Sequence, residues 1–272
     1  MRQTGEVEYA KNPVDGTAVA YETIGSGPPL VLLHGTALSR AIWRGFGYVR
    51  SLRDSHRLIL VDLRGHGRSE KPHDPDAYAM DLVSGDVLAV VDRLGIPTAS
   101  VLGYSFGGRV ALSVAERAPD RVNALIVGGG SSRPQAGAFD RLFFPGCVGV
   151  LEDRGMDAFL AEWSAVREWP IDPGTRAAFK ANDSVALAAY MRRCDVEPGV
   201  PPQSLRRLGV PTLLFVGSGD TERLRDTEEL ASAIPGAQLA VIDGFDHSTT
   251  IGATDEVLRV VEPFLTFAGQ FA

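Results

Sequence analysis

A serine in a glycine-flanked turn is the first residue of this sequence that could do covalent chemistry. The pattern G-Y-S-F-G occupies residues 103–107, after a short apolar run at 100–102 and before a helical pattern that begins at Phe106. This strand–turn–helix context predicts a sharp elbow that exposes the Ser105 hydroxyl as a nucleophile. A structural serine at a helix N-terminus is the alternative interpretation.

A serine hydroxyl needs a base to take its proton, and one histidine fits that role. His247 lies in G-F-D-H-S, residues 244–248, between the last predicted strand and the last predicted helix. The other histidines all lie in the first 73 residues of the chain. His247 is therefore predicted to be the general base, and an ordinary exposed loop histidine is the alternative.

A carboxylate has to orient the base and stabilise its charged form, and three aspartates compete for this role. Asp220 follows a predicted strand, 213–216, through a G-S-G turn. It lies between the predicted nucleophile and the predicted base, which is the chain order that follows a G-x-S-x-G elbow. Asp220 is therefore predicted to be the acid, with Asp243 and Asp246 as the competitors near His247.

A serine that attacks a carbonyl group also needs two N–H donors for the negative charge that develops on oxygen. The backbone N–H of Phe106, directly after the nucleophile, is predicted to be one of them. The second is assigned to the N–H of Thr36, which follows Gly35 after the predicted strand 30–33. A plain turn glycine at Gly35 is the alternative.

These residues require strands that end at one edge of a sheet, and the sequence predicts such a sheet. Apolar runs alternate with helical patterns, which is typical of a doubly wound, mostly parallel sheet with helices on both faces. Strands buried on both faces are predicted at 30–33, 58–61, 100–102, 124–127, 213–216 and 239–242, with an antiparallel hairpin at 7–10 and 18–22. Helices are predicted at 80–94, 106–118 and 254–267. The predicted fold class is therefore α/β.

The region 131–207 interrupts this alternation, because it holds helical patches at 156–166 and 176–192 but no comparable apolar run. It is predicted to be a helical cap inserted into a core made of residues 1–130 and 208–272. A cap at this point of the chain would lie over the carboxyl ends of the strands, where ligands bind in open α/β sheets. A cap also presents part of its apolar face to the cleft, which predicts an enclosed, largely apolar pocket. Eight aromatic residues of the cap are the candidates, although some of them must simply pack its helices on one another: Phe139, Phe143, Phe144, Phe159, Trp163, Trp169, Phe179 and Tyr190.

Composition excludes several function classes. The formal net charge of −7 repels a polyanion, so nucleic acid is not an expected partner. No apolar run approaches the roughly 18 residues that a membrane span needs, and the N-terminal residues lack the profile of a secretory signal, so a cytoplasmic location is expected. Cys147 and Cys194 are expected to be reduced. The histidines lack metal-ligand spacing, so neither a metal nor another cofactor is expected.

The sequence as a whole resembles the α/β-hydrolase superfamily. The resemblance rests on H-G at 34–35, D-L-R-G-H-G-R-S at 62–69, G-Y-S-F-G-G at 103–108, Asp220 and His247. The insertion is similar to the helical cap of that superfamily, and the first half is similar to 3-oxoadipate enol-lactonase-like proteins and small esterases. This resemblance implies a serine hydrolase that cleaves a small to medium, largely apolar ester or lactone through an acyl-enzyme. The segment 62–69 resembles a structural motif of the superfamily, so Arg64 and His66 are given no catalytic role.

Other activities use the same residues and remain open. Carbon–carbon bond hydrolysis and perhydrolysis need the same triad, and a hydrolase-like ligand sensor is an alternative outside the enzymes. Haloalkane dehalogenases and epoxide hydrolases place an aspartate at the elbow, so Ser105 argues against both.

Overall fold

The central sheet holds the residues singled out above at the ends of its strands. The structure is a computed structural model that describes residues 5–168 and 170–269. The strands of its one large sheet are β1 (Glu8–Lys11), β2 (Ala18–Ile24), β3 (Pro29–Leu33), β4 (Arg57–Val61), β5 (Ala99–Tyr104), β6 (Val122–Gly128), β7 (Thr212–Gly217) and β8 (Gln238–Ile242). Across the sheet they follow the order β1-β2-β4-β3-β5-β6-β7-β8. Pairing is antiparallel for β1 with β2 and for β2 with β4, and parallel from β4 onward, which confirms the predicted mostly parallel sheet.

Helices cover both faces of this sheet. In the described part of the chain they are α1 (Ala41–Gly45), α2 (Tyr48–Leu52), α3 (Met80–Arg93), α4 (Phe106–Arg117), α5 (Ala138–Leu142), α6 (Cys147–Val166), α7 (Pro173–Lys180), α8 (Ser184–Val196), α9 (Pro202–Arg207), α10 (Thr221–Ala233) and α11 (Thr254–Ala268). One core lies between the sheet and α3 with α4, and the other lies between the sheet and α1, α2 and α11. The doubly wound α/β class is confirmed. None of the described helices is long and apolar enough to cross a bilayer.

Strand β3 shows why the central strands are apolar at every position. Its side chains alternate between the two cores, with Val31 and Leu33 in one and Leu30 and Leu32 in the other. All four side chains are buried. A strand between two layers of helices has no solvent-facing side, which explains the continuous apolar run.

Strand β8 departs from the predicted burial on both faces. It is the last strand of the sheet and pairs only with β7, so its outer edge has no neighbour in the described structure. Leu239 and Val241 are 39% and 49% exposed, whereas Ile242 is buried. An apolar run of this length cannot by itself distinguish an edge strand from a central one.

The segment between β6 and β7 contains α5 to α9 and, among its described residues, no strand. The predicted patch at 156–166 belongs to the longer α6, which bends at Gly155. The predicted patch at 176–192 is divided between α7 and α8, because the Asp183 carboxylate accepts hydrogen bonds from the N–H groups of Val185 and Ala186 and starts a new helix there. Trp169 lies outside the described residues. The division into core and cap stays a prediction.

The segment 62–69 contributes a buried ion pair. Arg64 is fully buried and contacts both carboxylate oxygens of Asp86 in α3, each at 2.6 Å. It also contacts Asp15, in the turn between β1 and β2, at 2.8 Å. Arg64 therefore holds the hairpin and α3 together from inside the protein.

Two buried histidines lie side by side in the same region. The rings of His34 and His66 are 5.2 Å apart, and both side chains are fully buried. Burial, with a smaller contribution from His34, lowers the pKa of His66 to about 3. Burial also lowers the pKa of His34. Both rings are therefore neutral at neutral pH.

Candidate active site

Ser105 is the single residue between the end of β5 at Tyr104 and the start of α4 at Phe106. Its φ of 55° and ψ of −114° lie outside the regions that ordinary L-residues favour, as expected of a nucleophile elbow. The turn is tight because a Cβ on Gly107 would lie 2.2 Å from the carbonyl oxygen of Leu33, and one on Gly103 would lie 2.0 Å from that of Gly107. Only glycine fits at these two positions, so the sequence fixes the elbow locally.

A chain of two hydrogen bonds connects the three residues predicted to form the triad. Nε2 of His247 lies 2.9 Å from Oγ of Ser105, and Nδ1 of His247 lies 2.5 Å from Oδ2 of Asp220. Because the Asp220 carboxylate only accepts hydrogen bonds, Nδ1 carries the ring proton. Nε2 is then free to accept the Ser105 proton, which is the arrangement that a serine nucleophile requires.

Asp220 has a second task in the structure, as the N-cap of α10. Its Oδ1 accepts a hydrogen bond from the N–H of Arg223 at 3.3 Å while Oδ2 faces His247. The carboxylate is thus fixed from two sides, and Asp220 is 8% exposed. Helix α10 was not predicted, although an aspartate followed by Glu222 in the first turn is a helix start signal.

The two competing aspartates are engaged elsewhere. Oδ1 of Asp246 accepts hydrogen bonds from the N–H groups of Ser248 and Thr249, both at 2.9 Å, and so stabilises the turn around His247. Oδ1 of Asp243 accepts a hydrogen bond from the Ser218 hydroxyl at 3.0 Å. Of the three aspartates, the structure brings Asp220 to the His247 ring.

Tyr104, directly before Ser105, supports the histidine. Its hydroxyl donates to the carbonyl oxygen of His247 at 2.6 Å, and its ring stacks on the imidazole at 5.6 Å between centres. Burial raises the pKa of Tyr104, so the hydroxyl keeps its proton. The residue at the second position of G-x-S-x-G thereby holds the loop that carries the base.

The two predicted oxyanion donors lie beside Ser105. Phe106 is the first residue of α4, so its N–H has no acceptor within the helix. A Cβ on Gly35 would lie 3.3 Å from the Cβ of Ser105, which shows how closely the turn after β3 approaches the elbow. Thr36 and Phe106 both line the cavity above Ser105.

Tyr190 of α8 contacts both of these residues. Its hydroxyl lies 2.7 Å from Oγ1 of Thr36, and its ring centre lies 4.5 Å from that of Phe106. Tyr190 is 2% exposed. Nothing in the sequence distinguishes it from the other aromatic residues of the insertion, since the contact depends on how α8 packs on the sheet.

The cavity over Ser105 has a volume of about 220 Å³ and lies between the sheet edge and the insertion. Of the eight aromatic residues predicted to shape it, Phe139 and Tyr190 contribute to its wall. The five other described members pack against one another inside the insertion: Phe143, Phe144, Phe159, Trp163 and Phe179. Charged side chains complete the wall, including Arg109 and Glu197. Apolar surface is still the larger part of the wall.

Residues with metal-binding or redox chemistry are dispersed. Within 5–168 and 170–269, no three His, Cys, Asp or Glu residues are grouped so that they could hold a metal ion. Cys147 and Cys194 are both free thiols. Burial raises the pKa of Cys194 to about 12, so this thiol at the cavity wall stays protonated.

Comparison with known proteins identifies the family. A family model described as the alpha/beta hydrolase fold matches residues 28–146. A 2-hydroxymuconate semialdehyde hydrolase from Pseudomonas putida is 30% identical over 254 residues, which is 90% of this chain and 89% of that protein. The chain belongs to the α/β-hydrolase superfamily.

Solved structures of this superfamily share the whole fold. The enol-lactonase from Burkholderia xenovorans LB400 is 25% identical, with a TM-score of 0.80 over 95% of this chain and 100% of that one. An esterase from Rhodococcus sp. ECU1013 is 27% identical, with a TM-score of 0.76 over 96% of this chain and 98% of that one. The resemblance to enol-lactonases and esterases is confirmed, and this α/β-hydrolase acts as a hydrolase.

Proposed function

We propose that this α/β-hydrolase cleaves a small carboxylic ester or lactone through an acyl-enzyme formed on Ser105. The observation that supports this most directly is the hydrogen-bonded series of Asp220, His247 and Ser105 at the wall of a cavity. A hydroxyl within 2.9 Å of an oriented imidazole is an activated nucleophile. We assign Ser105 as nucleophile, His247 as general base and Asp220 as the orienting acid.

In the first half of the reaction, Oγ of Ser105 bonds to the substrate carbonyl carbon while its proton passes to Nε2 of His247. The carbonyl oxygen becomes an oxyanion, which accepts hydrogen bonds from the N–H groups of Phe106 and Thr36. The tetrahedral intermediate then breaks the bond to the alcohol oxygen, and His247 returns its proton to that oxygen. Asp220 stabilises the imidazolium throughout.

In the second half, a water molecule replaces the alcohol as the partner of His247. Nε2 takes one proton from the water, whose oxygen attacks the acyl carbon bound to Ser105. The new intermediate breaks the bond to Oγ, and the proton on His247 returns to Ser105. The products are a carboxylic acid, an alcohol and the regenerated hydroxyl. A lactone gives one hydroxy acid in place of two products.

The size of the cavity supports a small substrate. Its volume of about 220 Å³ is below the range of roughly 300–1,000 Å³ that is usual for pockets of drug-sized ligands. The insertion closes the space above Ser105 through Phe139 and Tyr190. We therefore expect esters with short acyl chains to be preferred over long-chain lipids and polymers.

The test combines covalent labelling with turnover. A fluorophosphonate should modify the wild-type protein at Ser105, as located by peptide mass spectrometry, and Ser105→Ala should remain unlabelled. Methyl and p-nitrophenyl esters of increasing acyl length, together with small lactones, then measure kcat/KM. Labelling at another residue, or turnover that survives in Ser105→Ala, would contradict the proposal.

Carbon–carbon bond hydrolysis is a second candidate. It is favoured by the likeness over nearly the full chain to 2-hydroxymuconate semialdehyde hydrolase, whose name gives a semialdehyde, not an ester, as its substrate. The same three residues are available for such a reaction. A vinylogous 1,5-diketone offered beside the esters discriminates between them, because loss of its absorbance without ester turnover would favour carbon–carbon cleavage.

A further inference from the structure

Arg109 is a cation at the cavity wall for which the described residues provide no ion-pair partner. It lies in the first turn of α4, four residues after Ser105, and both residues line the same cavity. Its Nη2 donates to the carbonyl oxygen of Pro198 at 2.7 Å. Its Nη1 is buried and has no hydrogen-bond partner among residues 5–168 and 170–269.

The other arginines around the cavity are different. Arg141 contacts Glu222 at 3.3 Å, Arg223 contacts Asp226 at 3.0 Å, and Arg133 contacts Asp226 at 3.5 Å. Each of these three arginines thus has an acidic partner, and Arg223 and Arg133 share Asp226. Arg109 does not join these pairs.

Glu197 is the acidic residue whose charge acts most strongly on Arg109, ahead of Glu116, but its oxygens are already engaged. Oε2 of Glu197 contacts Nε of Arg193 at 2.8 Å, and Oε1 accepts a hydrogen bond from the N–H of Met80 at 3.3 Å. Burial lowers the pKa of Arg109, and the charge of Glu197 opposes this effect. A guanidinium remains charged in proteins, so Arg109 places at the cavity wall a positive charge that has no ion-pair partner among the described residues.

A buried N–H without an acceptor costs about 1–3 kcal/mol of desolvation free energy. Such a group is explained when a ligand supplies the acceptor in the working state. The planar fork of a guanidinium matches the two oxygens of a carboxylate, and this pairing is among the strongest hydrogen bonds in proteins. Arg109 and Ser105 line the same cavity, so one substrate can contact both.

We propose that Arg109 binds a carboxylate of the substrate, so that the ester or lactone cleaved at Ser105 carries an acid group on a short chain. This inference rests on the proposed function, and it narrows the substrate class to acidic esters. It also changes the expectation from the sequence, which favoured a largely apolar substrate. The sequence signal that could have indicated it is an arginine in the first turn of the helix that follows the nucleophile.

The experiment compares two esters of nearly equal shape. Monomethyl glutarate carries a carboxylate, and methyl 5-methylhexanoate replaces it with an isopropyl group of similar size. Methanol release gives kcat/KM for each, and their ratio measures the contribution of the charge. For the wild type we expect the charged ester to be preferred at least about tenfold, since ion-paired hydrogen bonds in buried sites are strong.

The ratio should fall about 30-fold or more in Arg109→Met, because truncating one side of a buried charge pair removes the pairing and strands the carboxylate. Arg109→Lys should give an intermediate ratio, since lysine keeps the charge but loses the fork. The matched control is Arg117→Met on the same helix, whose side chain is exposed and pairs with Asp81 outside the cavity. Arg117→Met should keep the wild-type ratio. Circular dichroism checks folding, and Arg109→Gln replaces Arg109→Met if the latter does not fold.

A binding measurement separates this inference from the proposed function. Calorimetry should detect glutarate binding to Ser105→Ala and no binding to the Ser105→Ala/Arg109→Met double variant. Turnover of neutral esters without a preference for the charged one, or an equal loss for both esters in Arg109→Met, overturns the carboxylate site and leaves the esterase proposal intact. Absence of ester turnover and of Ser105 labelling overturns the proposed function, and glutarate binding then decides the Arg109 site by itself.

Discussion

The hydroxyl oxygen of Tyr190 lies 2.7 Å from Oγ1 of Thr36, so a helix of the insertion is bonded to the loop after β3. The same side chain packs its ring against Phe106. Tyr190 therefore contacts both residues that we propose as oxyanion donors. A shift of α8 would displace these donors relative to Ser105, which couples closure of the cavity to the geometry of the reaction.

We expect Tyr190→Phe to lower kcat about 5- to 10-fold with a smaller change in KM. The substitution removes one hydrogen bond, worth about 1 kcal/mol, and keeps the ring that packs on Phe106. Thr36→Val removes the same bond from the other side, and steady-state kinetics of the double variant completes a mutant cycle. Additive losses in that cycle would show that the two side chains act independently.

We expect Ser105→Ala to reduce turnover by more than about 10³-fold, because the nucleophile is lost. Ser105→Gly should be equally inactive but more stable than Ser105→Ala by about 1 kcal/mol. The φ of 55° at this position strains an alanine, whereas glycine adopts it without a Cβ clash. Thermal and urea unfolding of the two variants measure the difference. If alanine were the more stable of the two, the elbow would not be strained.

We expect Asp220→Asn to lower kcat about 10⁴-fold and to leave the free energy of unfolding nearly unchanged. Asparagine caps a helix as well as aspartate does, so α10 keeps its N-cap. It cannot hold the His247 tautomer or stabilise the imidazolium. Asp246→Asn serves as the comparison, because Asp246 bonds to its own turn. A larger loss of kcat in Asp246→Asn than in Asp220→Asn would reassign the acid.

We expect the protein to lose stability as the pH falls, in part through His66. The pKa of His66 is about 3 when folded and near 6.5 when unfolded, so both states are neutral above pH 6.5 and His66 has no pH effect there. Below pH 6.5 the unfolded chain binds a proton that the folded chain does not, down to about pH 3. The free energy of unfolding should therefore fall by about 2 kcal/mol between pH 7.5 and pH 5.0 from this residue.

Urea unfolding of the wild type and of His66→Gln at the two pH values tests this directly. The substitution can change the stability at pH 7.5 for packing reasons, so the readout is the loss between the two pH values. That loss should be about 2 kcal/mol smaller in His66→Gln. Equal losses in the two proteins would show that His66 is not the group responsible.

The central strands could be predicted from the sequence because two layers of helices require apolar residues at every position. Strand β3 satisfies this condition, and its predicted bounds differ by one residue from the observed ones. Helix α10 could not be found in this way, since Leu230 is its one buried aliphatic residue in a segment of charged side chains. The short α1 and α2 have too few turns to show a helical period.

The candidate site likewise contains residues that the sequence could predict and residues that it could not. Ser105, Asp220 and His247 each follow a strand closely, so local sequence patterns were enough to select them. Tyr190 matters because it bonds to Thr36, which is distant in the chain. Arg109 matters because its Nη1 has no hydrogen-bond partner among the described residues. Such relationships follow from tertiary packing, which a single sequence does not display.

The order of the strands has a consequence for the protein while it is being synthesised. Ser105 leaves the ribosome early, whereas His247 is added to the chain 142 residues later, in the loop after β8. A nascent chain that has folded β3 to β6 around Ser105 therefore has an elbow without a base. Under the proposed mechanism it cannot cleave an ester. Hydrolysis begins only when the last strand has joined the edge of the sheet, so activity reports completion of the fold.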